Sequence, residues 1–125
     1  MLTLITGLPN AGKTTYSARY SEVLHLDDYN SVGACCRAAG EITGDVVVEG
    51  ALGKAASRKQ LIEACAAQSP KICIWLDTPY EECLRRENRN RPLAIVHVHH
   101  QGFQPPSLEE GWDEIIHIGG LGVNR

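Results

Sequence analysis

Gly7-Leu8-Pro9-Asn10-Ala11-Gly12-Lys13-Thr14 satisfies every fixed position of the pattern G-x-x-x-x-G-K-[ST], whose chemistry is the holding of a polyphosphate. Backbone N–H groups in such a loop, and at the start of the helix behind it, point inward and make a concave anion site of partial positive charge. Gly7 and Gly12 permit positive φ and close approach of the backbone, Lys13 can reach the β- and γ-phosphates, and the Thr14 hydroxyl can ligate Mg²⁺. Pro9, Asn10, Ala11 and Thr15 complete the stretch expected to touch the nucleotide. The pattern carries weight only when a strand leads into it and a helix leads out. Leu2-Thr3-Leu4-Ile5-Thr6 is a short apolar run with β-branched residues, and the chain from Lys13 reads as a helix, with Tyr16 and Tyr20 on one face.

Two further groups of residues can act on a bound polyphosphate. Val23-Leu24-His25-Leu26 reads as a second strand and ends in Asp27-Asp28-Tyr29, so two acids fall at the carboxyl edge where α/β sheets bind ligands. Asp28 has an alternative use as the cap of the next helix, whose Val32, Cys35, Cys36 and Ala39 follow helical spacing. Val46-Val47-Val48 is continuous enough for a central parallel strand, and it ends in Glu49. An acid in that place is what a phosphate-loop protein uses to hold Mg²⁺, although Asp is the more usual residue.

The remaining chain must supply the rest of the sheet. Ser57-Arg58-Lys59-Gln60 has the form of a capping box, which predicts a helix from about Ser57 to Gln68 burying Leu61, Ala64 and Cys65. Lys71–Asp77 reads as a fourth strand. Thr78-Pro79-Tyr80-Glu81 is a second box, opening a helix that buries Tyr80, Cys83 and Leu84 and turns Arg85, Arg86 and Arg89 away, with Arg91 adding to the local positive charge. Leu93–Val98 suits a strand or, behind Pro92, a helix. On a strand His97 and His99 would share a face, yet no Cys or carboxylate at suitable spacing completes a metal site with them or His100. Ser107–Glu110 is a third capping pattern, and Glu114–Ile118 a fifth strand.

Composition narrows the classes. The chain has 125 residues, 43% of them hydrophobic and 22% charged, which suits one globular domain. No apolar run approaches the ~20 residues that cross a membrane, and no signal peptide is expected. Five cysteines without C-x-x-C spacing form neither a disulfide framework nor a zinc motif, and imply a cytoplasmic, reducing location. A net charge of −3 argues against a protein that coats nucleic acid.

Strands alternating with helices behind a phosphate loop describe a three-layer α/β sandwich on a parallel sheet. The loop, Leu26-Asp27-Asp28-Tyr29, Leu76-Asp77-Thr78-Pro79 with the arginines beyond, and Phe103-Gln104-Pro105-Pro106 followed by Glu110-Gly111-Trp112-Asp113-Glu114-Ile115 together resemble P-loop kinases of the polynucleotide-kinase type. The resemblance spans nearly the whole chain. It implies a five-stranded sheet ordered 2-3-1-4-5 and an arginine-rich lid at about 85–100. It further implies ATP and Mg²⁺ as cofactors and transfer of the γ-phosphoryl group to the hydroxyl of a nucleic-acid 5′ end or nucleoside-like acceptor. Asp27 would take the acceptor's proton, and lid arginines such as Arg86 and Arg89 would stabilise charge on the transferred group. This chain differs from such kinases at Asn30, where they carry arginine, and in the short stretch from Tyr29 to Asp45, which opens the acceptor side. An ATP-binding switch or weak hydrolase without a defined acceptor is the other reading the residues allow.

Overall fold

A computed structural model, which describes residues 1–86 and 93–119, gathers the apolar runs into one sheet. Its strands are β1 (Leu2–Gly7), β2 (Leu24–His25), β3 (Val46–Glu49), β4 (Lys71–Leu76) and β5 (Glu114–Ile118). They lie in the order β2-β3-β1-β4-β5, every neighbouring pair parallel, as the alternation of strands and helices predicts. β1 is buried along its whole length, which is why an unbroken apolar run suits it.

The helices are α1 (Lys13–Ser17), α2 (Val32–Gly40), α3 (Ala55–Ala64), α4 (Tyr80–Arg85) and α5 (Leu93–Gly102). Alternation along the strands sends Leu2, Leu4, Val48 and Cys73 to a core shared with α2 and α3. Ile5, Ile74 and Leu76 go to the opposite face, against Cys83 of α4 and Val96 of α5, with Tyr16 beside them. The carboxyl ends of the strands, and the loops leaving them, form the edge on which the candidate site stands.

Several helix ends differ from the local reading, each for a physical reason. α1 stops at Ser17, whose hydroxyl donates to the Thr14 carbonyl at 3.0 Å and tightens the last turn; Tyr20 reaches the same core from the turn beyond. Asp28 does not cap α2. Ser31 does, its hydroxyl accepting the Ala34 amide at 3.1 Å, while Asp28 lies in a 3₁₀ turn, Leu26–Asp28. α3 begins at Ala55, before the expected Ser57 cap, because Gln104 Oε1 accepts the Ala55 amide at 2.7 Å from across the molecule. It also ends at Ala64 rather than Gln68, and Ala64 is exposed. Thr78 caps nothing on α4; its hydroxyl donates to the Ala11 carbonyl of the phosphate loop at 2.8 Å. Residues 93–102 are helical, which removes the shared strand face of His97 and His99. Among the described residues no group of three His, Cys, Asp or Glu side chains is placed to hold a metal ion.

The third capping pattern serves a different purpose. Leu108–Glu110 is a 3₁₀ turn, and Glu110 accepts two bonds, at 2.8 Å each, from the guanidinium of a fully buried Arg58. Arg58 also donates to the Leu52 carbonyl at 2.8 Å, and Trp112 Nε1 donates to Glu110 at 3.0 Å. Burial alone would raise the Glu110 pKa, but the hydrogen bonds from Arg58 and Trp112 outweigh it and hold the carboxyl below its ordinary value. The five cysteines are free and buried, and desolvation pushes their thiols up, Cys35 to about 11 and Cys73 to about 12. No helix among the described residues is long and apolar enough to cross a membrane.

Candidate functional site

The loop between β1 and α1 is shaped by three positions. A Cβ on Gly7 would lie 2.6 Å from the Leu76 carbonyl oxygen, so only glycine lets the end of β1 pass β4. Asn10 and Gly12 have φ of 69° and 102°, left-handed values that these two residue types accept at low cost. A tight bond from the Ala11 amide to the Leu8 carbonyl, 3.0 Å, and the Thr78 hydroxyl on the Ala11 carbonyl complete the loop's frame. Pro9 and Ala11 are buried beneath it, while Thr14 and Thr15 present exposed side chains at the start of α1.

Lys13 is buried, its ammonium donating to the Gly7 and Leu8 carbonyls at 3.1 and 2.8 Å. The charge therefore sits inside the loop's curve rather than on the protein surface. α4 closes one side: Asn10 Nδ2 donates to the carbonyls of Cys83 and Arg86 at 3.2 and 3.1 Å, and Arg86 donates back to the Asn10 carbonyl at 3.0 Å. Glu82 holds the same guanidinium through Nε at 3.0 Å and also pairs with the more exposed Arg85. Arg89 and Arg91 lie outside the described residues, as does the part of the expected lid from 87 to 92.

The acids fall at the carboxyl ends of β2 and β3. Glu49, 7% exposed, ends β3 beside Ile5 of β1. The side chain of His25, at the end of β2, meets it with Nδ1 2.6 Å from Glu49 Oε1. His25 carries no functional signal in the sequence, because the register of two parallel strands, which pairs it with Glu49, is not written in either strand alone. Asp27 is exposed in the 3₁₀ turn that follows β2, one residue beyond Leu26. Leu26 in turn packs so closely on Gly50 that a Cβ there would come within 2.5 Å of it. A groove of about 810 Å³ runs along β2 beside α1 and is lined by both Thr14 and His25.

These donors suit the groups that the loop implies. The exposed Thr14 hydroxyl and the Glu49 carboxylate are hard oxygen donors of the kind Mg²⁺ takes, and the glycine-shaped loop around Lys13 suits a polyphosphate.

No protein-family model matches the chain, and no curated protein matches it significantly in sequence. Its fold is shared with solved structures of P-loop kinase-like proteins. Kti12 of Chaetomium thermophilum, solved in complex with ADP-AlF3, superposes with a TM-score of 0.67 at 17% identity, over 95% of this chain and 89% of that one. A gluconokinase from Sinorhizobium meliloti gives 0.69 at 14% identity, over 92% of this chain and 79% of that one. Shikimate kinase from Acinetobacter baumannii in complex with shikimate gives 0.58 at 18% identity, over 92% and 82%. At these identities the likeness is one of fold.

Proposed function

We propose that the chain is an ATP-dependent kinase that moves the γ-phosphoryl group to a hydroxyl. One observation carries this reading: the Arg86 guanidinium donates to the Asn10 carbonyl on the phosphate loop, so a cation from beyond β4 stands beside the phosphate cradle. A module that merely holds nucleotide has the loop and Lys13 for that purpose. In-line transfer spreads charge over the moving group and calls for added positive charge where it develops.

In this reading Gly7, Pro9, Asn10, Ala11, Gly12, Lys13, Thr14 and Thr15 bind the nucleotide. Thr14 and Glu49 would hold Mg²⁺, which supplies charge neutralisation on the phosphates. Asp27 accepts the proton of the acceptor hydroxyl as its oxygen bonds to the γ-phosphorus; the bond from that phosphorus to the bridging oxygen breaks, and ADP leaves. Lys13 and Arg86, with Arg89 from the lid at about 85–100, offset the charge that develops. Residues 1–125 act as one domain, and the five buried free thiols favour a reducing, cytoplasmic setting. The Asp27-Asp28-Tyr29 stretch favours the 5′ end of a nucleic acid or a nucleoside-like compound as acceptor, in the manner of the polynucleotide kinases.

The experiment is transfer of labelled γ-phosphate from ATP to a panel of 5′-hydroxyl oligonucleotides, nucleosides, sugars and hydroxy acids, with wild type and Asp27→Asn. Wild type should label one class, and D27N should keep MgATP affinity while losing about 10²- to 10⁴-fold in rate. Release of inorganic phosphate with no labelled acceptor, equal in wild type and D27N, would establish the switch or weak hydrolase instead.

A further inference from the structure

We propose that His25 is a positioning residue for Glu49, holding through one hydrogen bond the carboxylate that ends β3 and tying it to the strand that leads to Asp27. The inference rests on the kinase reading above. β2 and β3 run parallel with His25 opposite Glu49, so both side chains leave the sheet on the same face. That face is the one carrying Val47 and Ile5, toward α1. His25 also lines the groove that reaches Thr14, which brings the imidazole, the carboxylate and the hydroxyl to one side of the sheet.

Chain length explains why a partner is needed. Glutamate carries one more rotatable bond than the aspartate usual at the end of this strand, so its carboxylate can swing where an aspartate's is held by the backbone. The contact from His25 Nδ1 to Oε1, 2.6 Å, removes that freedom and engages only one of the two carboxylate oxygens. A carboxylate oxygen can only accept, so in this pairing Nδ1 carries the hydrogen. Outer partners of this kind orient the groups that hold a metal and raise their affinity.

The same contact makes the two strand ends a unit. One residue on, Leu26 is seated against Gly50, so β2 and β3 are joined at 25–49 and again at 26–50. Asp27 follows at once. The distance between the acid for the metal and the acid for the acceptor is thereby set by packing rather than by two independent loops.

The test is calorimetric binding of ADP, with and without Mg²⁺, to wild type, His25→Phe, His25→Asn, Glu49→Gln and the H25F/E49Q pair, alongside thermal melts without ligand. H25F should bind ADP alone as wild type does, while its apparent affinity for Mg²⁺ in the presence of ADP falls about 10- to 100-fold. H25N keeps a donor at the place of Nδ1 and should recover most of that loss. H25F should add nothing in the E49Q background, as expected for groups acting through one another. Should H25F fail to fold, His25→Ser takes its place in the same comparison. An unchanged Mg²⁺ affinity in H25F, even with a lowered melt, or a full additive loss in the pair, overturns the proposal and leaves His25 as a tie for the edge strand. Wild type that binds no ADP under either condition overturns the nucleotide site itself, and that result appears before any variant is made.

Discussion

Asn10 and Arg86 hold one another reciprocally: the Asn10 carboxamide donates to the carbonyls of Cys83 and Arg86, and the Arg86 guanidinium donates to the Asn10 carbonyl. The last turn of α4, whose carbonyls have no partner within the helix, is thus completed by the phosphate loop. Asn10→Gly keeps the left-handed backbone and removes only the side chain, so it isolates the stitch. It should lower stability by about 1–2 kcal/mol in a urea melt. Asn10→Ala should lose more, since alanine at φ 69° adds strain. Wild-type stability in the glycine variant would mean that the carboxamide contributes nothing and that the Arg86 bond to the residue-10 carbonyl, with packing, holds the two elements.

Lys13→Ala should have two separable effects. Without nucleotide it strips the Gly7 and Leu8 carbonyls of their donor, at a cost of about 1–3 kcal/mol. With nucleotide it should abolish the added stability, about 2.7 kcal/mol, that wild type gains from MgATP at 100 times its Kd. Thermal melts with and without MgATP separate the two, and an undiminished nucleotide shift in the variant would remove Lys13 from the phosphate site.

Gly50→Ala should disturb Asp27 without touching it. The new Cβ would fall 2.5 Å from Leu26 Cβ, a separation that forces the turn carrying Asp27 away from β3. With Asp27 as the proposed base, phosphoryl transfer should drop by about 10-fold or more while MgADP affinity changes little, because misplaced catalytic groups lose rate before binding. Leu26→Gly in the same chain, which removes the Cβ that the new one meets, should restore part of the rate. Equal rates in wild type and G50A would show that the position of this turn is not critical.

The Glu110 carboxyl gives the fold an acid limit of predictable sign. Its folded pKa lies below the ordinary value of 4.5, so its contribution is complete above that pH and is lost as pH falls through the folded pKa. Glu110→Gln should flatten this acid limb, and at neutral pH it should destabilise by about 3–5 kcal/mol, since Arg58 would remain buried without its counterion. Replacing both, Arg58→Met with Glu110→Leu, should recover much of that loss. Urea melts between pH 3 and about pH 7 check each part; an acid limb identical in E110Q and wild type would place the responsible group elsewhere.

The sheet was legible because its evidence is local. Val46-Val47-Val48 and Lys71–Leu76 are apolar runs bounded by turn residues, and alternation with helices leaves few orders for a parallel sheet. The loop was legible because glycine and lysine at fixed spacing are the chemistry. What was missed is tertiary. The cap of α3 comes from Gln104, 49 residues away, and a true S-x-x-Q pattern at Ser57 ended up inside the helix. Thr78 had a good local reason to cap α4 but found a better acceptor in the loop. Arg58 looked like a polar helix residue, and only Glu110 makes its burial tolerable. His25 gave no signal of its own, since its meaning depends on the residue in register on another strand.

The chain that leaves α5 is pinned at the start of α3: Lys54 donates to the Gly102 carbonyl at 2.8 Å, the Gln104 amide to the Gly53 carbonyl at 2.7 Å, and Gln104 Oε1 accepts the Ala55 amide. The stretch that begins at Arg86, which is held to the phosphate loop, therefore finishes at a second fixed point at the start of α3. A segment anchored at both ends can change length without altering what it is anchored to, and doubling it costs only about 0.6 kcal/mol in closure entropy. Insertions, grafted sequences or reporter peptides placed ahead of α5, between residues 86 and 93, should accordingly be accepted by the fold, since they leave the buried Val96 and its partners in place. Changes made there leave the sheet and the phosphate loop as they are, because both anchors lie outside the altered stretch.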